Sequence, residues 1–175
     1  MIYTSNYSSP LGAITLAGSE KGLSGLWFNG QKYFAATLPE DHMPKEMPVF
    51  DDTRRWLDIY FQGKDPGSIP PLSLKATLFR QSIWEILLGI PYGETTTYSA
   101  IAEQIAKQKG IPHMSAQAVG NAIAHNPISI IIPCHRVVGA NGSLTGYAGG
   151  IEKKIQLLTL EKADMSRLFV PKNKA

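Results

Sequence analysis

The one cysteine of this 175-residue chain, Cys134, stands in the run Pro133-Cys134-His135-Arg136-Val137-Val138. A thiolate is a strong nucleophile near neutral pH, and an imidazole is well suited to take its proton there. Burying an uncompensated His135 and Arg136 beside an inert thiol would be costly, so their presence argues for a reaction centre over a small core residue. Neighbours on a regular strand face opposite ways, so His135 can serve Cys134 only through a turn or a bridging water. Glu161 is the best distant candidate to orient the imidazole. A helix from about Glu152, with Ile155, Leu158 and Thr159 on its inner side, would return it toward the reactive run.

No metal is expected. One cysteine makes neither a disulfide nor a multi-thiolate site, and His42, His113, His125 and His135 lack the short regular spacings of metal ligands. The stretch Asn141 to Gly150 is glycine-rich and can expose backbone N–H groups as the wall of a flat polar ligand. It lacks the Lys-Ser/Thr ending of a phosphate loop, and Tyr147 within it is expected to pack.

These residues need elements to hold them. Alternating segments at Leu11 to Ala17 and Leu23 to Phe28 indicate a hairpin or small antiparallel sheet, and Pro39 to Pro48 reads as a loop. Asp51 to Phe61 reads as a helix with Trp56, Leu57, Tyr60 and Phe61 on its apolar face. After a Pro/Gly-rich link from Gly63 to Pro71, Phe79, Ile83, Ile86, Leu87 and Ile90 recur at helical spacing until Pro91-Tyr92-Gly93. Thr95, Thr96 and Thr97 are cap candidates for a helix from about Tyr98 to Lys107, and Ser115 can cap a small-residue helix from Ala116 to Ala124. That pair has the outline of a helix-turn-helix with a long connection. Ile128 to Ile132 reads as a buried strand that Pro133 ends.

A hydrophobic content of 43% argues against disorder, and no apolar run approaches the ~20 residues of a membrane span. The start of the chain has no secretory character, so a cytoplasmic location is the simplest expectation. A net charge of +3 suits an anionic partner without requiring one.

Asn126-Pro127, the isoleucine run, Pro133-Cys134-His135-Arg136 and the loop Thr145-Gly146-Tyr147-Ala148-Gly149-Gly150 together resemble the O6-alkylguanine-DNA alkyltransferases, also called methylated-DNA-protein-cysteine methyltransferases. The likeness runs from about Thr77 to Glu161 and is looser before that. It implies an α/β fold: a ribonuclease-H-like first domain over residues 1–74, and a mainly helical, winged-helix-like domain over 75–175. It also implies single-turnover transfer of an alkyl group from O6-alkylguanine in duplex DNA to Cys134 without a cofactor, and leaves open whether O4-alkylthymine reacts as well; a monomer is the default expectation for a chain of this size.

In that scheme His135 is the water-linked base, Glu161 its orienting acid and Asn126 the support of the turn. Tyr98 helps rotate the nucleotide and donates a proton to guanine. Backbone groups of Cys134, Val137 and Ala148 read the base, and Tyr147 and Gly149 shape its pocket. The resemblance puts Thr97, Tyr98, Ser115, Ala116, Gln117, Ala118 and Gly120 against the minor groove, and Arg136 is expected to hold the domains together. Base flipping is required because the stack confines the alkylated oxygen. One departure is Gln117, which stands where the family's best-described members have an arginine finger. Glutamine fills space and hydrogen-bonds, but has no charge or guanidinium plane.

Three other readings compete. A damage sensor of the same family would lack the cysteine. A cysteine hydrolase would turn over repeatedly. A purely structural DNA-binding module would never become alkylated.

Overall fold

The computed structural model describes residues 1–171 and divides them into two compact units. Unit 1 is Met1–Lys75 with Pro127–Ile131, and unit 2 is the remainder from Ala76 onward. The first break, between Lys75 and Ala76, falls beside the expected boundary near Leu74, and the chain contributes a second short segment to unit 1 between Asn126 and Ile132.

Unit 1 is a four-stranded sheet with a helix packed on it. Its strands are β1 (Ile2–Ser9), β2 (Gly12–Ser19), β3 (Gly22–Phe28) and β4 (His42–Pro44), in the order β3-β2-β1-β4. The β1–β2 and β2–β3 pairs are antiparallel, and the β1–β4 pair is parallel. Sequence periodicity finds β2 and β3 but not β1, whose side chains are mostly half-buried without clean alternation, nor β4, a three-residue strand within the expected loop.

Helix α1 (Pro48–Phe61) starts three residues earlier than its apolar stripe suggests, because Pro at its first position is preorganised for helix entry. It buries Val49, Phe50, Trp56, Leu57 and Tyr60, while Phe61 is only partly covered. The free edge of β3 is capped by two short segments. Leu23 exchanges backbone hydrogen bonds with Pro71 and Ser73, and Leu26 does so with Pro127 and Ser129, all at 2.8–2.9 Å. Pairing of this kind removes the exposed donors and acceptors of an edge strand.

The isoleucine run is buried but is not a strand. Only Ile128 forms a bridge, to Leu26; Ile131 N–H then turns back to Ser129 O, and Ile130 takes a left-handed φ of 70°. Burial makes these residues apolar, and a turn, not a ladder, sets their geometry.

Unit 2 is mainly helical: α2 (Leu78–Leu88), α3 (Tyr98–Lys109), α4 (Ala116–Ala124) and α5 (Ile151–Leu160). Three of the helices start at side-chain caps. The Thr77, Thr97 and Ser115 hydroxyls accept from backbone N–H groups of the first turns of α2, α3 and α4. Gly110, at φ 65°, ends α3. Two two-residue strands, β5 (Thr96–Thr97) and β6 (Val137–Val138), pair in parallel and bring the start of α3 to the segment after Cys134. Val138, Leu144, Leu158 and Ala163 form a small core under the loop that follows β6. No helix is long and apolar enough to cross a membrane among the described residues.

Candidate active site

Cys134, His135 and Arg136 form one turn of 3-10 helix entered from Pro133. This turn resolves the problem of adjacent side chains on a strand, since it does not force Cys134 and His135 to opposite faces. All three are buried. Asn126, just after α4, closes the neck of the excursion that precedes the turn: its Nδ2 donates to Ile132 O at 2.9 Å and to Cys134 Sγ at 3.3 Å.

The end of α5 supplies the carboxylate. Glu161 Oε2 lies 2.6 Å from His135 Nε2, and Oε1 accepts from Arg136 Nε at 2.8 Å and from Gly93 N–H at 3.0 Å. Arg136 also donates to Ile90 O at 2.7 Å and lies over the Tyr92 ring. The partners of Arg136 are thus residues of unit 2, which corrects the expectation that it holds the two domains together. Its task is to help neutralise Glu161 and to fasten the Ile90–Tyr92 segment.

Electrostatics sort these groups into roles. Burial opposes ionisation of Glu161, but the hydrogen bonds and charges of His135 and Arg136 outweigh it and hold the carboxyl well below the usual carboxylate range. Burial lowers the basicity of His135, with Arg136 and Lys154 adding to the effect against the pull of Glu161. His135 is therefore neutral near pH 7. With Glu161 ionised, the imidazole Nε2–H donates to it and Nδ1 is left as the basic nitrogen. Nδ1 is buried and carries no hydrogen bond from the described residues. Burial pushes the Cys134 thiol up, while the Asn126 hydrogen bond and the Lys154 charge favour its thiolate. The thiol thus needs help to ionise, and a base, an amide donor and a cation are all present.

Lys154 is the residue that sequence reasoning missed. It is fully buried, and its Nζ donates to Val137 O at 2.6 Å and Thr145 O at 2.7 Å, joining the strand after the reactive turn to the glycine-rich loop. Burial pulls its ammonium down to about 8, against the opposing charge of Cys134. The signal was available. Lys154, Leu158 and Glu161 share one helical stripe, whereas the expected inner position Thr159 is exposed.

Tyr98, the first residue of α3, donates from its hydroxyl to Thr145 O at 3.2 Å. Burial, then the Cys134 charge, pushes its phenol up to about 12, so it holds its proton. A side chain at Gly146, where φ is 79°, would place its Cβ 2.8 Å from the Tyr98 hydroxyl, so this loop position requires glycine. Tyr98, Ala116, Gln117 and Gly120 line one open cleft of about 590 Å³ with Ser99, Asn121, Thr145 and Gly146.

Other expected residues lie around this centre. Tyr147 is buried, its ring nearly perpendicular to that of His135 at 6.4 Å between centroids. Val137 is in β6, with its carbonyl held by Lys154. Thr97 and Ser115 spend their hydroxyls on capping their own helices. Ala148 and Gly149 are half-buried, and Ala118 is exposed on α4; these three do not line the cleft. Among the described residues no group of three or more His, Cys, Asp or Glu could hold a metal.

Comparison with known proteins gives the family of the chain. Residues 2–74 match the ribonuclease-like domain of 6-O-methylguanine DNA methyltransferase, and residues 78–163 match the DNA binding domain of the same protein. The chain is 44% identical over 163 residues to the methylated-DNA–protein-cysteine methyltransferase of Mycobacterium tuberculosis, covering 93% of this chain and 94% of that one. It is 43% identical over 161 residues to the Methanosarcina acetivorans protein of that name, covering 91% and 98%. A crystal structure of Mycobacterium tuberculosis OGT in complex with DNA superposes with a TM-score of 0.77 at 41% identity, covering 95% of this chain and 94% of that one. The chain belongs to the 6-O-methylguanine DNA methyltransferase family, with the ribonuclease-like first domain and DNA-binding second domain of that family.

Proposed function

We propose that this protein repairs DNA by moving an alkyl group from the O6 atom of a flipped-out guanine in duplex DNA to Cys134, once per molecule. The observation that carries the reading is the Asn126–Cys134 contact in the same turn as the His135–Glu161 pair. His135 Nδ1 takes the thiol proton through one water, the sulfur attacks the alkyl carbon, and the C–O6 bond breaks with its electrons passing to guanine. The Tyr98 phenol donates a proton to the leaving base, and the proton that His135 took from the thiol returns through water to the Tyr98 oxygen, so that no net proton is gained or lost.

The relatives' names support a methylated-DNA substrate, and the DNA-bound mycobacterial structure supports a duplex partner. α4 is the element assigned to the minor groove, with Gln117 occupying the space that the rotated base leaves. Val137, Tyr147, Ala148 and Gly149 are assigned to the base pocket, and Thr97, Ser115 and Ala118 to the DNA-facing surface. The product is a thioether, which neither His135 nor Glu161 can reverse, so turnover stops at one. O4-alkylthymine is included as a second substrate, and one monomer suffices per lesion. The cytoplasm is the assigned compartment, where a lone thiol stays reduced.

The test is incubation with a defined O6-methylguanine duplex, followed by intact mass and peptide mapping. One methyl on Cys134, stoichiometric with repaired guanine and absent in Cys134→Ala, is the expected result. An unchanged mass in folded protein with excess lesion would refute the assignment, and many products per chain would require a different reaction. Gln117→Ala should lower duplex repair more than reaction with a free alkylated base. Equal losses on the two substrates would remove Gln117 from base flipping.

A further inference from the structure

We propose that Asn121 is a second reading residue on α4, which makes repair depend on the base pairs flanking the lesion by recognising the guanine N2 amino group of a G·C neighbour. The proposal rests on the alkyl-transfer reading above. Asn121 is exposed, and it lines the same cleft as Gln117, Tyr98, Thr145 and Gly146. Its backbone carbonyl is engaged by His125 Nδ1 at 2.8 Å, whereas its side-chain amide makes no hydrogen bond to the described residues.

Position and chemistry both favour this role. Asn121 follows Gln117 by one helical turn, about 6 Å along the axis, against the roughly 3.4 Å spacing of bases along a strand. With Gln117 in the vacated place, the Asn121 amide is within reach of an adjacent pair. Ala116, Gly120 and Ala124 on this side of the cleft keep the helix backbone low enough for a short side chain to make that contact.

α4 carries no Lys, Arg, Asp or Glu, so no side-chain charge on this helix draws it to phosphate. In the minor groove the one donor is the guanine N2 amino group, and every other base-edge group is an acceptor. An ammonium or guanidinium offers only donors and cannot recognise that group. An amide offers Oδ1 to it and Nδ2 to a neighbouring acceptor. Asn121 is therefore of the side-chain type that can favour G·C over A·T in this groove.

The experiment compares single-turnover repair of two O6-methylguanine duplexes whose flanking pairs are G·C or inosine·C, which differ in the minor groove only by the N2 amino group. The readout is the ratio of the two rates within each protein, so a general loss of activity or stability cancels. The native protein should show a ratio about five-fold larger than Asn121→Ala. Asn121→Lys, which keeps donors and removes the acceptor, should lose the preference in the same way. Equal ratios in the native protein and both variants overturn the proposal, while methylation of Cys134 in those same reactions leaves the alkyl-transfer reading standing. Failure of Cys134 to be alkylated by either duplex, or by free O6-benzylguanine, overturns that reading and the proposal with it.

Discussion

Unit 1 buries Trp27, Phe28, Phe50 and Tyr60, and its only buried polar side chains among the described residues are Thr53 and Ser129; unit 2 buries His135, Arg136, Lys154 and Glu161. The charges of unit 1 lie outside, as in the Arg54–Glu46 ion pair at 2.6 Å. An apolar core gains stability from area removed from water and tolerates the loss of any surface charge. A core holding two cations, an anion and an imidazole is stable only while every member keeps its partner. Unit 1 is therefore built for stability, and unit 2 gives up part of its own to hold reactive groups in place.

Four measurements would break or sharpen this contrast. Glu161→Gln removes the counter-charge of Arg136 and one of the two carboxylate oxygens that serve His135, Arg136 and Gly93, and should cost about 3–5 kcal/mol of unfolding free energy together with nearly all alkyl transfer. A stable and active variant would show that the buried network is dispensable. Phe50→Ala in unit 1 should cost about 3–5 kcal/mol in urea unfolding, yet leave the transfer rate of the folded fraction unchanged. A slowed rate would mean that unit 1 takes part in the chemistry. Lys154→Met should lower the single-turnover rate constant by about ten-fold or more through loss of the cation near the thiolate. An unchanged rate would reduce Lys154 to a loop fastener. At the small end, Arg54→Ala should cost about 1 kcal/mol or less, and a larger loss would place unit 1 among proteins that depend on their surface charges.

Acid should separate the units as well. His135 has a folded value below its ordinary 6.5, so the unfolded chain binds the extra proton and stability falls as pH drops below 6.5. Glu161 adds stability above its ordinary 4.5 that is lost as pH falls toward its lowered folded value. Thermal midpoints measured from pH 8 to pH 4 should decline on this schedule, and His135→Gln should flatten the first part of the decline. An identical profile in that variant would assign the acid sensitivity to other groups.

The sequence was most informative where local rules decide the outcome. Ser115 and Thr97 mark helix starts because their hydroxyls satisfy free N–H groups nearby, and the stripe containing Ile83 and Leu87 marks α2. Cys134, His135 and Glu161 follow from side-chain chemistry and a helical stripe and Asn126 from the family resemblance, and the contacts Asn126–Cys134 and His135–Glu161 join them in pairs. Legibility failed where long-range packing overrides local preference. Ile128 to Ile132 has strand composition but serves as a buried turn, and Lys154 has a surface composition yet lies fully buried. Helical spacing puts Lys154 on the stripe of Leu158 and Glu161, but nothing local shows that the Val137 and Thr145 carbonyls would hold its charge there.

Those carbonyls include that of Thr145, which accepts from Lys154 at 2.7 Å and from Tyr98 at 3.2 Å. The phenol is the longer and weaker of the two tethers. If the phenol turns to an incoming base, the Thr145 carbonyl keeps its shorter anchor to the ammonium.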